Sequence, residues 1–193
     1  MRAVGFKEFG DPKVLEVMDI PEVSAGPGEI RIKNYASAVN PTDIVSRSGL
    51  ISQFRKDFPL PSVPGMDISG IVDQVGEGVE TDISIGDKVM GMVIPNELHG
   101  AYREQITLNQ FAVVKAPEGY SFAESSTLPM NGLTARLSLD LLNLNKGQVV
   151  AVTGGPGAYG GYVIQLAKAD GLIVIADSNE NDIELLNELG VDH

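Results

Sequence analysis

The sequence predicts a mixed α and β chain in two parts: a β-barrel or sandwich, then the opening of a doubly wound parallel sheet. Three observations carry this. Up to about residue 125, short β-rich runs alternate with Gly/Pro punctuation. Beyond it the apolar period turns helical, with Leu133, Leu137, Leu141 and Leu144. There the order is strand, Gly-rich turn, helix, strand, helix, which is how a parallel sheet begins. The expected domains are therefore residues 1–125 and 126–193.

In the first part, residues 1–6, 14–18, 29–39, 67–75, 87–93, 102–108 and 111–115 read as strands. Gly10-Asp11-Pro12, Gly26-Pro27-Gly28, Pro64-Gly65, Gly76-Glu77-Gly78 and Pro117-Glu118-Gly119 break them. Asn40-Pro41 is a helix-start signal, and predicts a short helix over 42–47. In the second part, residues 128–144 form a helix and 148–153 a buried-type strand. The turn from Gly154 to Gly161 runs into a helix reaching about residue 169. A second strand over 172–176 precedes a helix over 182–189, which Gly190 stops.

Composition narrows the chemistry. The chain has 193 residues, 43% of them apolar, enough to bury a core. It has no cysteine, which excludes disulfides, a thiol nucleophile and thiolate zinc sites. His99 and His193 are the only histidines, too few for a multi-histidine metal site. Fourteen basic against 26 acidic residues leave a net charge of −12, which disfavours nucleic acid and anionic membranes as partners. The start, MRAVGFKEFG, carries early charges and no signal-peptide core. The longest apolar run near the end, residues 172–176, is far short of the roughly 20 residues a membrane helix needs. The expectation is a soluble, cytoplasmic protein acting on a small molecule.

The strongest chemical signal is Gly154-x-x-Gly157-x-x-Gly160, with Gly155 and Gly161 beside it. It follows a strand and opens a helix, the context in which such a turn cradles a dinucleotide pyrophosphate. Glycine lets the backbone approach the phosphates, and the helix start offers free N–H groups and a favourable dipole. Gly154, Gly155, Gly157, Ala158, Tyr159 and Gly160 are thus the expected cofactor residues. Pro156 either removes a donor from the loop or occupies the first helical position, where the donor is spare. Asp177 ends the second strand. Either it accepts from a ribose 2′-OH, or it and Ser178 merely cap the next helix.

Taken together, these residues resemble the zinc-independent medium-chain dehydrogenase/reductases, in their quinone oxidoreductase (zeta-crystallin-like) branch. Val39-Asn40-Pro41-Thr42-Asp43 and Arg47-Ser48-Gly49-Leu50 are similar to the family's substrate-side segment. Pro64-Gly65-Met66-Asp67-Ile68-Ser69-Gly70 with Val75-Gly76 is similar to its G-x-[DE]-x-x-G block. Gly86-Asp87-Lys88-Val89, Gly100-Ala101-Tyr102-Arg103-Glu104 and Leu133-Thr134-Ala135 follow in family order. Gly157 to Gly160 with Gln165 and Lys168 resembles the nucleotide signature.

The resemblance implies a GroES-like β-barrel domain followed by the first part of a Rossmann domain. It implies hydride transfer from NADP(H), with NAD(H) as the alternative that Asp177 favours, to a quinone or an α,β-unsaturated carbonyl. Asn40 and Met66 stand where zinc relatives carry Cys and His, which implies chemistry without zinc. Asn40 and Thr134 match positions near the nicotinamide and are the expected catalytic residues. Asp43 matches an acid that holds local structure. Val45 stands where relatives often carry Tyr. His99 is expected to be a solvated loop residue, and Tyr159 to pack over the cofactor. Two βα units leave a sheet edge and apolar helix faces uncovered. The expectation is a piece of a longer enzyme, or self-association as a homo-oligomer such as a dimer. A nucleotide-binding or interaction module without catalysis is the alternative function.

Overall fold

The computed structural model describes residues 1–54 and 57–193. It forms two compact units, Met1–Pro129 and Met130–His193. The units divide a few residues beyond the change of period near residue 125.

In the first unit, strands β1 (Arg2–Gly5) and β2 (Glu16–Asp19) form an antiparallel hairpin. Strands β3 (Glu29–Ala36), β4 (Asp67–Val75), β5 (Lys88–Met92), β6 (Gln105–Asn109) and β7 (Val113–Lys115) form an antiparallel sheet in the order β6-β3-β4-β5-β7. Alternation turns Ile30, Ile32, Ile106 and Val89 inward, each 0% exposed. With Ile68, Val72 and Val113 they make the core of this unit. Each such side chain contributes about 2 kcal/mol by burial.

Several predicted boundaries move, each for a local reason. The strand expected over 29–39 ends at Ala36, after register shifts at Arg31/Ile32 and Asn34/Ala36. The strand expected from residue 102 begins its pairing with β3 at Gln105. Tyr102 and Glu104 instead hydrogen-bond along β1, through Val4 N–H to Tyr102 O and Glu104 N–H to Arg2 O. The strands expected over 14–18 and 111–115 each begin with a 3-10 turn, Pro12–Val14 and Gln110–Ala112. Helix α1 (Pro41–Arg47) forms as expected, with Pro41 in its first turn. A further short helix, α2 (Phe122–Ser126), was not predicted. Its signal is a capping box: Ser121 Oγ accepts from Glu124 N–H, and the Glu124 carboxylate accepts from Ser121 N–H.

The second unit contains α3 (Pro129–Leu142), β8 (Val149–Val152), α4 (Ala158–Ala169), β9 (Ile173–Ala176) and α5 (Ile183–Leu189). Strands β8 and β9 are parallel, with Val149 opposite Ile173 and Val152 opposite Ala176. Val150, Val152 and Val174 pack against Val163, Ile164 and Ala167 of α4 and Leu186 of α5. The other face, with Val149, Ile173 and Ile175, is exposed. The leucine period of α3 identifies a helix, but Leu133, Leu137 and Leu141 face outward, and Ala135 and Leu139 enter the core. Gly190 ends α5 in the left-handed conformation, as expected.

The edge of β9 is not left open. Asp192 N–H and His193 N–H donate to Val174 O, and Ala176 N–H donates to His193 O. The Asp192 carboxylate accepts from Lys168 Nζ at 2.6 Å and from Val174 N–H at 2.7 Å. The Lys168 hydrogen bond, then that of Val174, hold the Asp192 carboxyl below the ordinary carboxylate range. A depressed folded value means the clip is complete above the unfolded pKa, roughly 3.9, and is lost as pH falls through the folded value. The Val174 amide resonance is expected to titrate below about pH 4, and to lose this transition in Asp192→Asn. A flat Val174 shift down to pH 2 counts against the clip.

Candidate functional site

In the second unit, β8 delivers the chain to Gly154, whose φ of +69° suits glycine. Gly157 N–H donates to Gly154 O at 2.9 Å and closes the turn. Gly157 is the N-cap of α4, and Ala158, Tyr159 and Gly160 are its first residues. Their N–H groups lie in the first turn, where no intrahelical acceptor exists, and the helix dipole adds positive potential there. Pro156 lies before the N-cap, so it is outside the helix and not at its first position.

A cavity of about 290 Å³ opens beside this turn, lined by Gly154, Pro156, Asp177, Ser178 and Asn179. It sits past the C-terminal ends of β8 and β9, where open parallel sheets bind ligands. Asp177 Oδ1 accepts from Gly154 N–H at 2.6 Å. Asp177 therefore ties the second strand to the glycine turn and does not cap the next helix. Asn179 is the N-cap of the following 3-10 turn, and Ser178 Oγ donates to Asn179 O. Gly155 packs against β9 and α5: a β-carbon there would lie 3.0 Å from Ala176 Cβ and from Leu186 Cδ2.

Tyr159 does not leave its hydroxyl open. It shares a 2.7 Å hydrogen bond with Ser138 Oγ, which donates to Thr134 O. The tyrosine proton is thus directed to Ser138. Tyr159→Phe is expected to cost about 1 kcal/mol of stability, the ordinary worth of one hydrogen bond. Urea unfolding followed by circular dichroism measures it, and an unchanged midpoint counts against the link. Thr134 is exposed on α3, and its hydroxyl donates to Met130 O at 2.6 Å. Its oxygen is left to act as an acceptor.

In the first unit, Asn40 is buried at the N-cap of α1. Its amide Nδ2 donates to Asp67 Oδ2 at 2.6 Å, and Asp67, which opens β4, is fully buried. Asp43 gathers three donors: Asn40 N–H at 2.8 Å, Gly65 N–H at 2.8 Å and Tyr102 OH at 3.1 Å. Burial, then the Asp43 charge, push the Tyr102 phenol well above its ordinary value. Tyr102 therefore stays a neutral donor at all working pH. Thr42 Oγ1 approaches Met66 Sδ at 3.2 Å. A groove of about 530 Å³ is lined by Val4, Val17, Tyr35, Val39 and Tyr102 among others. Asn40 does not line it, although its neighbour Val39 does. His99 is half-buried and closes a tight turn in which Asn96 and His99 exchange backbone bonds. Burial, then the Arg103 charge, lower its pKa and keep it neutral. Among the described residues no group of three or more His, Cys, Asp or Glu side chains is placed to hold a metal ion.

The family model of the alcohol dehydrogenase GroES-like domain matches residues 26–135, more than half of the chain. The chain belongs to this family. Among solved structures, this GroES-like chain is similar to a quinone oxidoreductase from Coxiella burnetii, with a TM-score of 0.87 and 34% identity over 100% of this chain and 61% of that one. It is also similar to mycobacterial Rv1454c complexed with NADPH, with a TM-score of 0.83 and 31% identity over 100% of this chain and 57% of that one. Among curated proteins, 2-methylene-furan-3-one reductase of Solanum lycopersicum is 33% identical over 100% of this chain and 51% of its own length. The chain thus spans about half the length of that relative. These neighbours are oxidoreductases of the medium-chain dehydrogenase/reductase family, as the sequence motifs implied. No helix among the described residues is long and apolar enough to cross a membrane.

Three participants in the GroES-like chain's two candidate sites escaped the sequence reading. Asp67 was seen only as part of a block, because its partner Asn40 is distant in sequence. Ser138 meets Tyr159 only once α3 packs beside the turn. Asn179 had a signal, since it follows Asp177 at a strand end beside the predicted ribose site.

Proposed function

We propose that this chain carries the substrate-side domain and the first nucleotide-binding segment of a reductase. The reaction is hydride transfer from NAD(P)H to a quinone or an α,β-unsaturated carbonyl. The reading rests chiefly on the open cavity beside the glycine turn, at the C-terminal ends of two parallel strands. Membership in an oxidoreductase family supports it. When bound, the nicotinamide supplies a hydride to a substrate carbon.

The chain's own residues bind and orient. The first N–H groups of α4, at Ala158, Tyr159 and Gly160, hold the pyrophosphate, with Gly154, Gly155 and Gly157 keeping the backbone close. Thr134, whose proton is held by Met130 O, accepts a hydrogen bond from the nicotinamide side. Asn40, with its Nδ2 held by Asp67, orients the nicotinamide or the substrate. The substrate's conjugated carbonyl carries the developing charge, and water protonates the resulting enolate. The proposed chemistry is read as zinc-free, because the family resemblance sets Asn40 and Met66 where zinc relatives carry Cys and His.

The test is a titration of the chain with NADH and NADPH, followed by addition of a quinone and absorbance at 340 nm. Binding with oxidation supports the reductase. A second reading is a nucleotide-binding or interaction module without turnover. Binding without oxidation supports that one. Absence of binding overturns both.

A further inference from the structure

We propose that Tyr159 and Ser138 are positioning residues for the nicotinamide half of the dinucleotide site: the hydrogen bond between them sets helix α3, and Thr134 on it, against the glycine turn. This rests on the reading of the turn as a pyrophosphate cradle and of Thr134 as a nicotinamide contact.

Tyr159 belongs to both halves of that site. It lies in the first turn of α4, so its N–H is one of the free donors at the helix start. Its hydroxyl reaches α3, 2.7 Å from Ser138 Oγ. Ser138 Oγ donates onward to Thr134 O at 2.8 Å, and Thr134 Oγ1 donates to Met130 O at 2.6 Å. Thr134 and Ser138 are one helical turn apart and share a face of α3. The oxygen that Thr134 keeps as an acceptor is therefore carried on the helix face that Tyr159 holds.

Packing alone holds α3 by few side chains. Ala135 and Leu139 enter the core, while Leu133, Leu137, Leu141 and Leu142 are exposed. Apolar contacts are non-directional and survive a small rotation of the helix. Polar ties to both ends of α4 oppose that rotation. Arg136 meets Asp170, the C-cap of α4, at 2.8 Å. Ser138 meets Tyr159 at the other end. Arg136 and Ser138 project about 200° apart around α3, so the two ties resist rolling in either sense. The tie through Tyr159 is the one that refers Thr134 to the cradle. A contact ordered before its ligand arrives lowers the cost of binding.

The experiment is isothermal titration of the full chain with NADH and NADPH, and with the fragments that lack only the nicotinamide, ADP-ribose and 2′-phospho-ADP-ribose. The variants are Tyr159→Phe, which keeps the ring and removes the hydroxyl, Ser138→Ala, and the two combined. Each is expected to bind the dinucleotides about threefold to tenfold more weakly, the worth of one hydrogen bond, and the fragments within about twofold of the parent. The combined variant is expected to lose no more than either alone, because the pair is one link. Thr134→Val removes the acceptor, and in that background Tyr159→Phe is expected to change dinucleotide affinity by less than about twofold. Far-UV circular dichroism checks that each variant is folded. A merely structural role weakens dinucleotides and fragments together, and that result overturns the proposal. So does unchanged dinucleotide affinity in both single variants, or a further loss on adding Tyr159→Phe to Thr134→Val. A parent chain that binds the fragments as tightly as the dinucleotides overturns the proposal and leaves the cradle standing. Failure of the folded chain to bind any of the four overturns the cradle itself, and the proposal with it.

Discussion

Gly160→Val is expected to abolish dinucleotide binding by breaking the turn that would hold it. A β-carbon at Gly160 would lie 2.4 Å from Gly154 O, 2.9 Å from Gly155 Cα and 2.9 Å from Gly155 O. All three neighbours are backbone, so no side chain can rotate away. The first turn of α4 must then retreat from the end of β8, and the core between Val152 and Val163 opens with it. The expected loss is about 3 kcal/mol or more, the upper range for overpacking. Gly154→Ala is the contrasting variant. No atom lies within 4 Å of its β-carbon, so only the φ of +69° opposes it, at a cost of about 1–2 kcal/mol. Urea unfolding and a fluorescence titration with NADH measure the two quantities. A Gly160→Val variant with the parent's unfolding midpoint and affinity would show that the close approach is not real.

The second large effect is expected at Asp43. Its carboxylate is the shared acceptor for Asn40 N–H, Gly65 N–H and Tyr102 OH, and the residue is only 6% exposed. Asp43→Ala strands three donors at once, two of them on the main chain. Each stranded buried group costs about 1–3 kcal/mol, so the sum is on the order of 4 kcal/mol. The start of α1, the Pro64-Gly65 turn and the segment at Tyr102 lose their common anchor together. Asp43→Asn retains one acceptor oxygen and is expected to lose about half as much. The stability of Tyr102→Phe separates the contributions, since it removes one donor and leaves the carboxylate in place. A loss below about 1 kcal/mol in Asp43→Ala would mean that water replaces the carboxylate and that it anchors nothing.

These two residues mark how much was legible beforehand. Only the family resemblance marked Asp43, as an acid that holds local structure; its bond to Asn40 N–H is local to the start of α1. Its other partners, Gly65 and Tyr102, come from distant segments and carry no mutual signal. The glycine turn was legible for a local reason: strand, turn and helix are consecutive, and backbone sterics set them. That Asp177 would bond the Gly154 amide was not legible, because it needs β8 and β9 in parallel register. Helical spacing in α3 revealed a helix but not its buried face. Which side of a periodic segment is inward depends on what packs against it.

The sequence by itself determined the order of elements, the β-rich first unit, the βα order of the second and the absence of thiolate chemistry. Those follow from short-range rules: period, turn residues, caps and composition. Only the tertiary structure decided which donors meet which acceptors. It closed Asp43 on three segments, spent the Tyr159 hydroxyl on Ser138, and tied Asp177 to the Gly154 amide. Such pairings depend on chain segments far apart in sequence being brought to about 3 Å, and neighbouring residues do not encode that distance.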